Sequence, residues 1–180
     1  MPVFASLLRA VNVGGRNLIP MAALAEVCEG LGFTGVKTVL QSGNVIFRSP
    51  GSAPPAKKLR DAIEKRFGLR PELFLRSPEE LRAALAANPF PKEAKADPSH
   101  LLVHFFDGAP AAGAAKTLAA WDRGPEQAKL VGDSLYIYYT DGMGRSKLTN
   151  AVLERALGRP GTARNFNTVT KLAALCAALE

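Results

Sequence analysis

No stretch of this chain stays apolar for long. The longest runs, of which Leu101 to Phe106 is typical, are far too short to span a bilayer, so no membrane segment is expected. The N-terminus lacks a basic start followed by a long apolar core and a small-residue cleavage site; without that secretory signature, the cytoplasm is the expected compartment. Cysteine is scarce. Cys28 and Cys176 each fall at an apolar position of a predicted helix with no second ligand at metal spacing, so both read as core thiols. The two histidines, His100 and His104, are four residues apart but bracket the start of a strand, where that spacing loses its meaning for a metal pair. No metal and no cofactor is expected. Also missing is any catalytic motif whose chemistry can be read from spacing alone.

What is present is ordinary for a globular protein: 180 residues, 47% hydrophobic and 22% charged. That length suits one domain or two small ones, either with a serviceable core. The charge is less ordinary. Of a net +7, more than half lies between Asp141 and Lys171, where Arg145, Lys147, Arg155, Arg159, Arg164 and Lys171 face only Asp141 and Glu154. Such a bias favours an anionic partner, a small molecule or a nucleic acid, the bland alternative being a solvated basic face.

Periodicity organises the chain into two halves. Val3 to Val11 reads as a central strand, apolar on both faces except at Arg9. Pro20 suits a first helical position, and Leu24, Val27, Cys28 and Leu31 follow at helical spacing until Gly32 stops the helix. Val36 to Leu40 and Val45 to Arg48 form a hairpin across Ser42-Gly43-Asn44. A helix carrying Leu59, Ile63 and Phe67 ends at Gly68, and Glu72 to Arg76 is the next strand. This order of strand, helix, strand, strand, helix, strand is the ferredoxin-like pattern.

Ser77-Pro78-Glu79-Glu80 then supplies an N-cap, a proline at the first helical position and a glutamate three residues on, so a helix through Leu85 follows. Pro89, Pro91 and Pro98 mark 89–98 as a linker between an N-terminal half, 1–88, and a second half, 99–180. Beyond it, Leu101 to Phe106 is a strand and Ala111 to Trp121 a helix. Gln127 to Val131 pairs with Leu135 to Tyr139, Asn150 to Leu157 is a helix, and Thr168 to Leu179 is a final helix. The expected fold class is α+β: two ferredoxin-like halves in tandem, with helices packed on antiparallel sheets. Apolar patches at sheet edges fit burial between the halves and burial in a dimer equally.

Three polar clusters interrupt this pattern. Asn12-Val13-Gly14-Gly15-Arg16-Asn17 lies between a strand and a helix, where backbone amides can receive an anion. It lacks the lysine and serine of a P-loop and does not match a dinucleotide fingerprint; the plain alternative is a turn needing positive φ. Gln41-Ser42-Gly43-Asn44 reads as a hairpin turn. In a ferredoxin-like sheet it would bring Gln41 close to Asn12. The third cluster joins Asp141 to Lys147 with Thr162 to Thr168, where glycines, a hydroxyl and cations suit an oxyanion, and where Asn167 or Thr168 could simply cap the last helix. Arg9, on an apolar strand face, fits a salt bridge as well as a ligand contact.

These residues also carry a resemblance. Ala5 to Gly15, Ile19-Pro20-Met21, Gln41 to Val45 and Arg164 to Val169 together resemble domain-of-unknown-function family 1697, whose members open with an ALLRGINVGG-like motif. Glycine, isoleucine and tryptophan are the family's preferences where this chain has Ala10, Val11 and Phe166. The resemblance implies a two-part α+β fold with ferredoxin-like halves; it implies no activity, and no catalytic residue carries over.

Three classes of function fit these features. The expected one is a binding module for an anionic ligand: a nucleotide, a phosphorylated metabolite or a nucleic acid. Its site would draw on Arg9, Asn12, Gly14, Gly15, Asn17, Gln41, Ser42, Asn44, Arg145, Ser146, Lys147, Arg164, Asn165, Asn167 and Lys171. Sequence-specific RNA binding is the weaker form, because only Phe4 and Phe47 could stack bases. An enzyme acting on a phosphorylated or acidic small molecule is the second class, with Ser42, Ser146, Asp141 and Tyr139 as its available groups. A protein-interaction or structural unit without a ligand is the third.

Overall fold

The computed structural model describes all residues from Met1 to Glu180. Packing divides them into two units, one of Met1–Arg82 with Lys171–Glu180, the other of Ala83–Thr170. The division thus falls at Arg82, earlier than the expected linker. The final ten residues group with the first unit.

In the first unit, β1 (Val3–Leu8) is followed by α1 (Met21–Gly30), β2 (Thr34–Val39), β3 (Asn44–Arg48), α2 (Ala56–Phe67) and β4 (Leu73–Arg76). The sheet order is β2-β3-β1-β4 and every neighbouring pair is antiparallel. The register sets Ala5 opposite Ile46 on one side and Arg76 on the other. Residues of β1 alternate across the pleat, so Phe4 and Leu8 share one face. They join Leu24 and Cys28 of α1, Leu59 and Ile63 of α2, and Val45 and Phe47 of β3 in a single buried cluster. Phe33 stacks on Phe47 with ring centroids 4.3 Å apart. β1 is shorter than the expected Val3 to Val11, because Ala10 takes φ +54° and turns the chain out of the sheet.

Helix α3 (Pro78–Ala86) starts as its capping box requires. The Glu80 backbone N–H donates to Ser77 Oγ at 3.1 Å, and the Ser77 N–H donates to the Glu80 carboxylate at 2.7 Å. The expected linker 89–98 holds a short helix, α4 (Pro91–Ala96), with Pro91 at its first position.

The second unit continues with β5 (Leu101–Phe106), α5 (Ala114–Ala119), β6 (Gln127–Val131), β7 (Ser134–Tyr138), α6 (Asn150–Leu157) and β8 (Gly161–Asn165); α7 (Phe166–Ala177) then begins in this unit and ends in the first. Its sheet order, β6-β7-β5-β8, repeats that of the first sheet, again with antiparallel neighbours. Thr162 to Asn165, expected as part of a polar cluster outside the regular elements, instead belong to strand β8. The segment pairs with β5 in the register Val103 to Arg164, and ladder hydrogen bonds hold an edge strand whose side chains are largely polar. The register also shows an internal repeat: Arg76 stands opposite Ala5 and Arg164 opposite Val103, each the third residue of its central strand. Each guanidinium donates to the carbonyl of the residue before it, Leu75 at 2.6 Å and Ala163 at 2.8 Å. The core of this unit gathers Leu102, Phe106, Leu118, Ile137, Leu148 and Leu153 with their neighbours. No helix of the chain is long and apolar enough to cross a membrane.

Candidate functional site

The polar residues singled out from the sequence fall into separate sets. Those from Arg9 to Asn44, with Lys171, belong to the first unit; Arg145, Ser146, Lys147, Arg164, Asn165 and Asn167 belong to the second.

In the first unit the loop after β1 is built on left-handed backbone. Ala10, Asn12, Gly14, Gly15 and Asn17 all have φ between +50° and +72°, and Leu40 of the neighbouring hairpin has φ +60°. The four non-glycine residues with positive φ in the chain are all here. Asparagine tolerates the region because its side chain can satisfy nearby backbone. Asn12 Nδ2 donates to the carbonyls of Ile19 at 2.9 Å and Gln41 at 2.8 Å, while its Oδ1 accepts from the Ile19 N–H at 2.8 Å. Asn17 Nδ2 donates to the Ala10 carbonyl at 2.9 Å. Gly14 and Gly15 are the centre of a tight turn closed by the Arg16 N–H on the Val13 carbonyl at 3.0 Å. Asn44 is buried, donating to the Val39 carbonyl at 2.8 Å and to Ser42 Oγ at 3.0 Å. Arg9 pairs with Glu72 at 2.6 Å. The asparagine amides here brace the loop itself, and Gln41 contributes its backbone carbonyl.

At the start of α7 the cap is neither Asn167 nor Thr168. Asn165 Oδ1 accepts from the Thr168 N–H at 2.9 Å and from the Thr168 hydroxyl at 2.8 Å, the arrangement of an N-cap residue three positions before its donor. Asn167 and Lys171 are exposed. Arg164 is buried and donates to Thr162 Oγ1 at 2.8 Å. Burial pulls its guanidinium down to about 10, still charged at neutral pH.

Arg145, Ser146 and Lys147 stand differently. They line a hollow of about 290 Å³ together with Arg123, Glu126 and Asp141. The local sequence explains its shape. Gly142, at φ +79°, turns the chain after Tyr139, and a single helical turn over Met143–Arg145 closes with the Ser146 N–H on the Met143 carbonyl at 3.1 Å. Tyr139 anchors this segment, its hydroxyl donating to the Leu148 carbonyl at 2.9 Å from a buried position. In the other lining segment, Gly124 lets the buried Glu126 carboxylate approach; a Cβ at position 124 would lie 2.2 Å from its Oε2.

The electrostatics of the hollow are uneven. Burial works against ionising Glu126, but hydrogen bonds from Ser146 and from Trp121 Nε1, the latter at 2.9 Å, together with nearby Lys147 hold its carboxyl below the usual range. Arg123 and Arg145, both exposed, form no ion pair within the chain, and the ammonium of Lys147, also exposed, is not within ion-pair distance of any acid. Three cations and two acids, Glu126 and Asp141, thus line one concave surface built from the glycine-containing segments 123–126 and 141–147. Such an arrangement offers charge-assisted hydrogen bonds to an oxyanion. It offers little for bond making. The Tyr139 phenol is bonded, buried and pushed far above its ordinary range by burial and by Glu126, and the Ser146 hydroxyl is held between Glu126 and the Leu148 N–H.

The sequence reading found Arg145, Ser146 and Lys147 and missed Arg123, Trp121 and Glu126. The available signal was the Trp121-Asp122-Arg123-Gly124-Pro125-Glu126 turn, a cation and an acid separated by Gly-Pro just before a strand.

The fold and this hollow define an α+β protein with two four-stranded antiparallel sheets and a concave cationic patch on the second unit. The chain belongs to the family described as protein of unknown function DUF1697, whose model matches residues 1–136. The hollow's Arg145, Ser146 and Lys147 lie beyond that match. The chain is also similar to the conserved bacterial protein SP0830 from Streptococcus pneumoniae, at 21% identity and a TM-score of 0.75 over 98% of this chain and 99% of that one, a likeness of fold. No curated protein matches the chain.

Proposed function

We propose that the protein is a binding module for a small anionic ligand, held in the second unit by Arg123, Arg145 and Lys147. The observation that carries this reading is the convergence of three cations without ion-pair partners on one hollow. Three other arginines are ion-paired: Arg9 with Glu72, Arg70 with Asp61 and Glu64, Arg82 with Glu79 and Glu180. A guanidinium left open beside a second cation gains most from an oxyanion that bridges both. We also read each half as a ferredoxin-like unit, a reading supported by the strand order that recurs in both sheets.

Thermal melting of the protein against inorganic phosphate and a panel of phosphorylated metabolites tests the proposal, since a ligand that binds only the folded state raises the melting temperature. At a ligand concentration one hundred times Kd the expected stabilisation is about 2.7 kcal/mol, and it disappears in a variant carrying Arg145→Ala and Lys147→Ala. A panel that shifts neither protein contradicts the reading.

A further inference from the structure

We infer that the ligand of the second unit is a mononucleotide, its phosphate in the Arg123–Arg145–Lys147 hollow and its base in an adjoining slot beside Trp121; this rests on the anion-binding reading above. The slot is a second hollow, about 280 Å³, lined by Leu118 and Trp121 at the end of α5, by Val152 and Ala156 of α6, and by Leu148. Arg123 and Arg155 also line it. The two hollows are neighbours: Arg123 lines both, and Lys147 of the first is followed in the chain by Leu148 of the second.

Their sizes and chemistries are complementary. At about 290 and about 280 Å³, the two hollows together lie within the usual range of about 300–1,000 Å³ for a small-molecule site. One end carries Arg123, Arg145 and Lys147 beside Glu126 and Asp141; the other sets an indole and aliphatic side chains among Asp122, Arg123 and Arg155. A planar ring joined by a short polar connection to a phosphate has that distribution, and bases of any identity stack on an aromatic side chain. Trp121 is also held in place, its Nε1 fixed on the buried Glu126 carboxylate at 2.9 Å, so its ring needs no reordering to receive a base. Glu126 therefore serves both ends, positioning the indole and sitting beside Lys147.

Trp121 is the sole tryptophan of the chain, which makes its fluorescence a direct report on the slot. Adenosine 5′-monophosphate, ribose 5-phosphate, adenosine and inorganic phosphate are titrated into the full chain, with fluorescence and calorimetry as readouts. The nucleotide is expected to bind about tenfold or more tightly than ribose 5-phosphate, which carries the same phosphate without the base, and to be the phosphate compound that quenches Trp121. Ala156→Phe, filling the slot, should remove that advantage while leaving the affinity for inorganic phosphate unchanged. Equal binding of the nucleotide and ribose 5-phosphate overturns the nucleotide inference and leaves anion binding standing. No binding of any phosphate compound overturns both. The comparison of the two phosphate compounds needs no variant and stands whether or not Ala156→Phe folds.

Discussion

The side-chain amide of Asn12 donates to the main-chain carbonyl of Gln41 at 2.8 Å, tying the loop after β1 to the β2–β3 hairpin. The contact lies between two clusters that the sequence pattern sets side by side, and it makes Asn12 the brace of the first unit's loop. Its amide forms three hydrogen bonds to backbone groups from a backbone at φ +54°. Asn12→Ala removes all three, each worth about 1 kcal/mol net, and puts a less tolerant residue in left-handed backbone. A loss of roughly 3 kcal/mol is expected, read as a drop of about 6–12 °C in the melting temperature of a chain this long.

Two neighbouring positions should respond with opposite signs. Gly43 has φ +77°, and a Cβ there would lie 2.3 Å from Cγ2 of buried Val11 and 3.0 Å from Cβ of Leu8. Gly43→Ala combines backbone strain with overpacking and should cost about 2–5 kcal/mol. Leu40 occupies similar backbone at φ +60° but is 54% exposed, so its side chain contributes little burial. Leu40→Gly relieves about 1–2 kcal/mol of strain against about 0.5–1 kcal/mol of lost chain stiffness, for a small net gain. Denaturant titrations of the two variants check both signs.

What could be read from the sequence tracks where local chemistry acts alone. The Ser77–Glu80 capping box and the Gly43 hairpin turn follow from residues acting on adjacent backbone, while the approach of Asn12 to Gln41, 29 residues apart, follows from the expected strand order. Strand β8 was hidden because Thr162, Arg164 and Asn165 present polar side chains while the pairing to β5 is made by backbone groups, which carry no sequence signal. Helix α4 was hidden for the opposite reason: Pro91 reads as a breaker, yet a proline at a first helical position starts a helix. Of the candidate site, Arg145 and Lys147 were visible as a charge cluster. Arg123 lines the same hollow through the α5–β6 connection, whose Gly124-Pro125 turn is a local signal, but its meeting with Arg145 and Lys147 is a tertiary juxtaposition.

Both cysteines are buried and unbridged, and burial pushes Cys28 up to about 12 and Cys176 to about 11. Raised values mean that the folded chain holds these protons more tightly than the unfolded one. The associated stability is fully present below the unfolded thiol range near pH 9 and is lost as pH climbs toward 11–12. Neither thiol should react with a thiol-specific reagent at pH 8 in the native protein, and both should react in denaturant. Rapid native labelling of either would contradict their placement in the core.

The central claim is that an anion sits on Arg123, Arg145 and Lys147. An amide-resolved NMR titration of the isotopically labelled protein with inorganic phosphate tests it most directly. The predicted result is a saturable set of shifts confined to residues 123–126 and 141–147, absent when Arg145→Ala and Lys147→Ala are combined in a protein of unchanged fold. Shifts confined instead to residues 10–17 and 41–44 of the first unit, or no saturable shift at all, would contradict it.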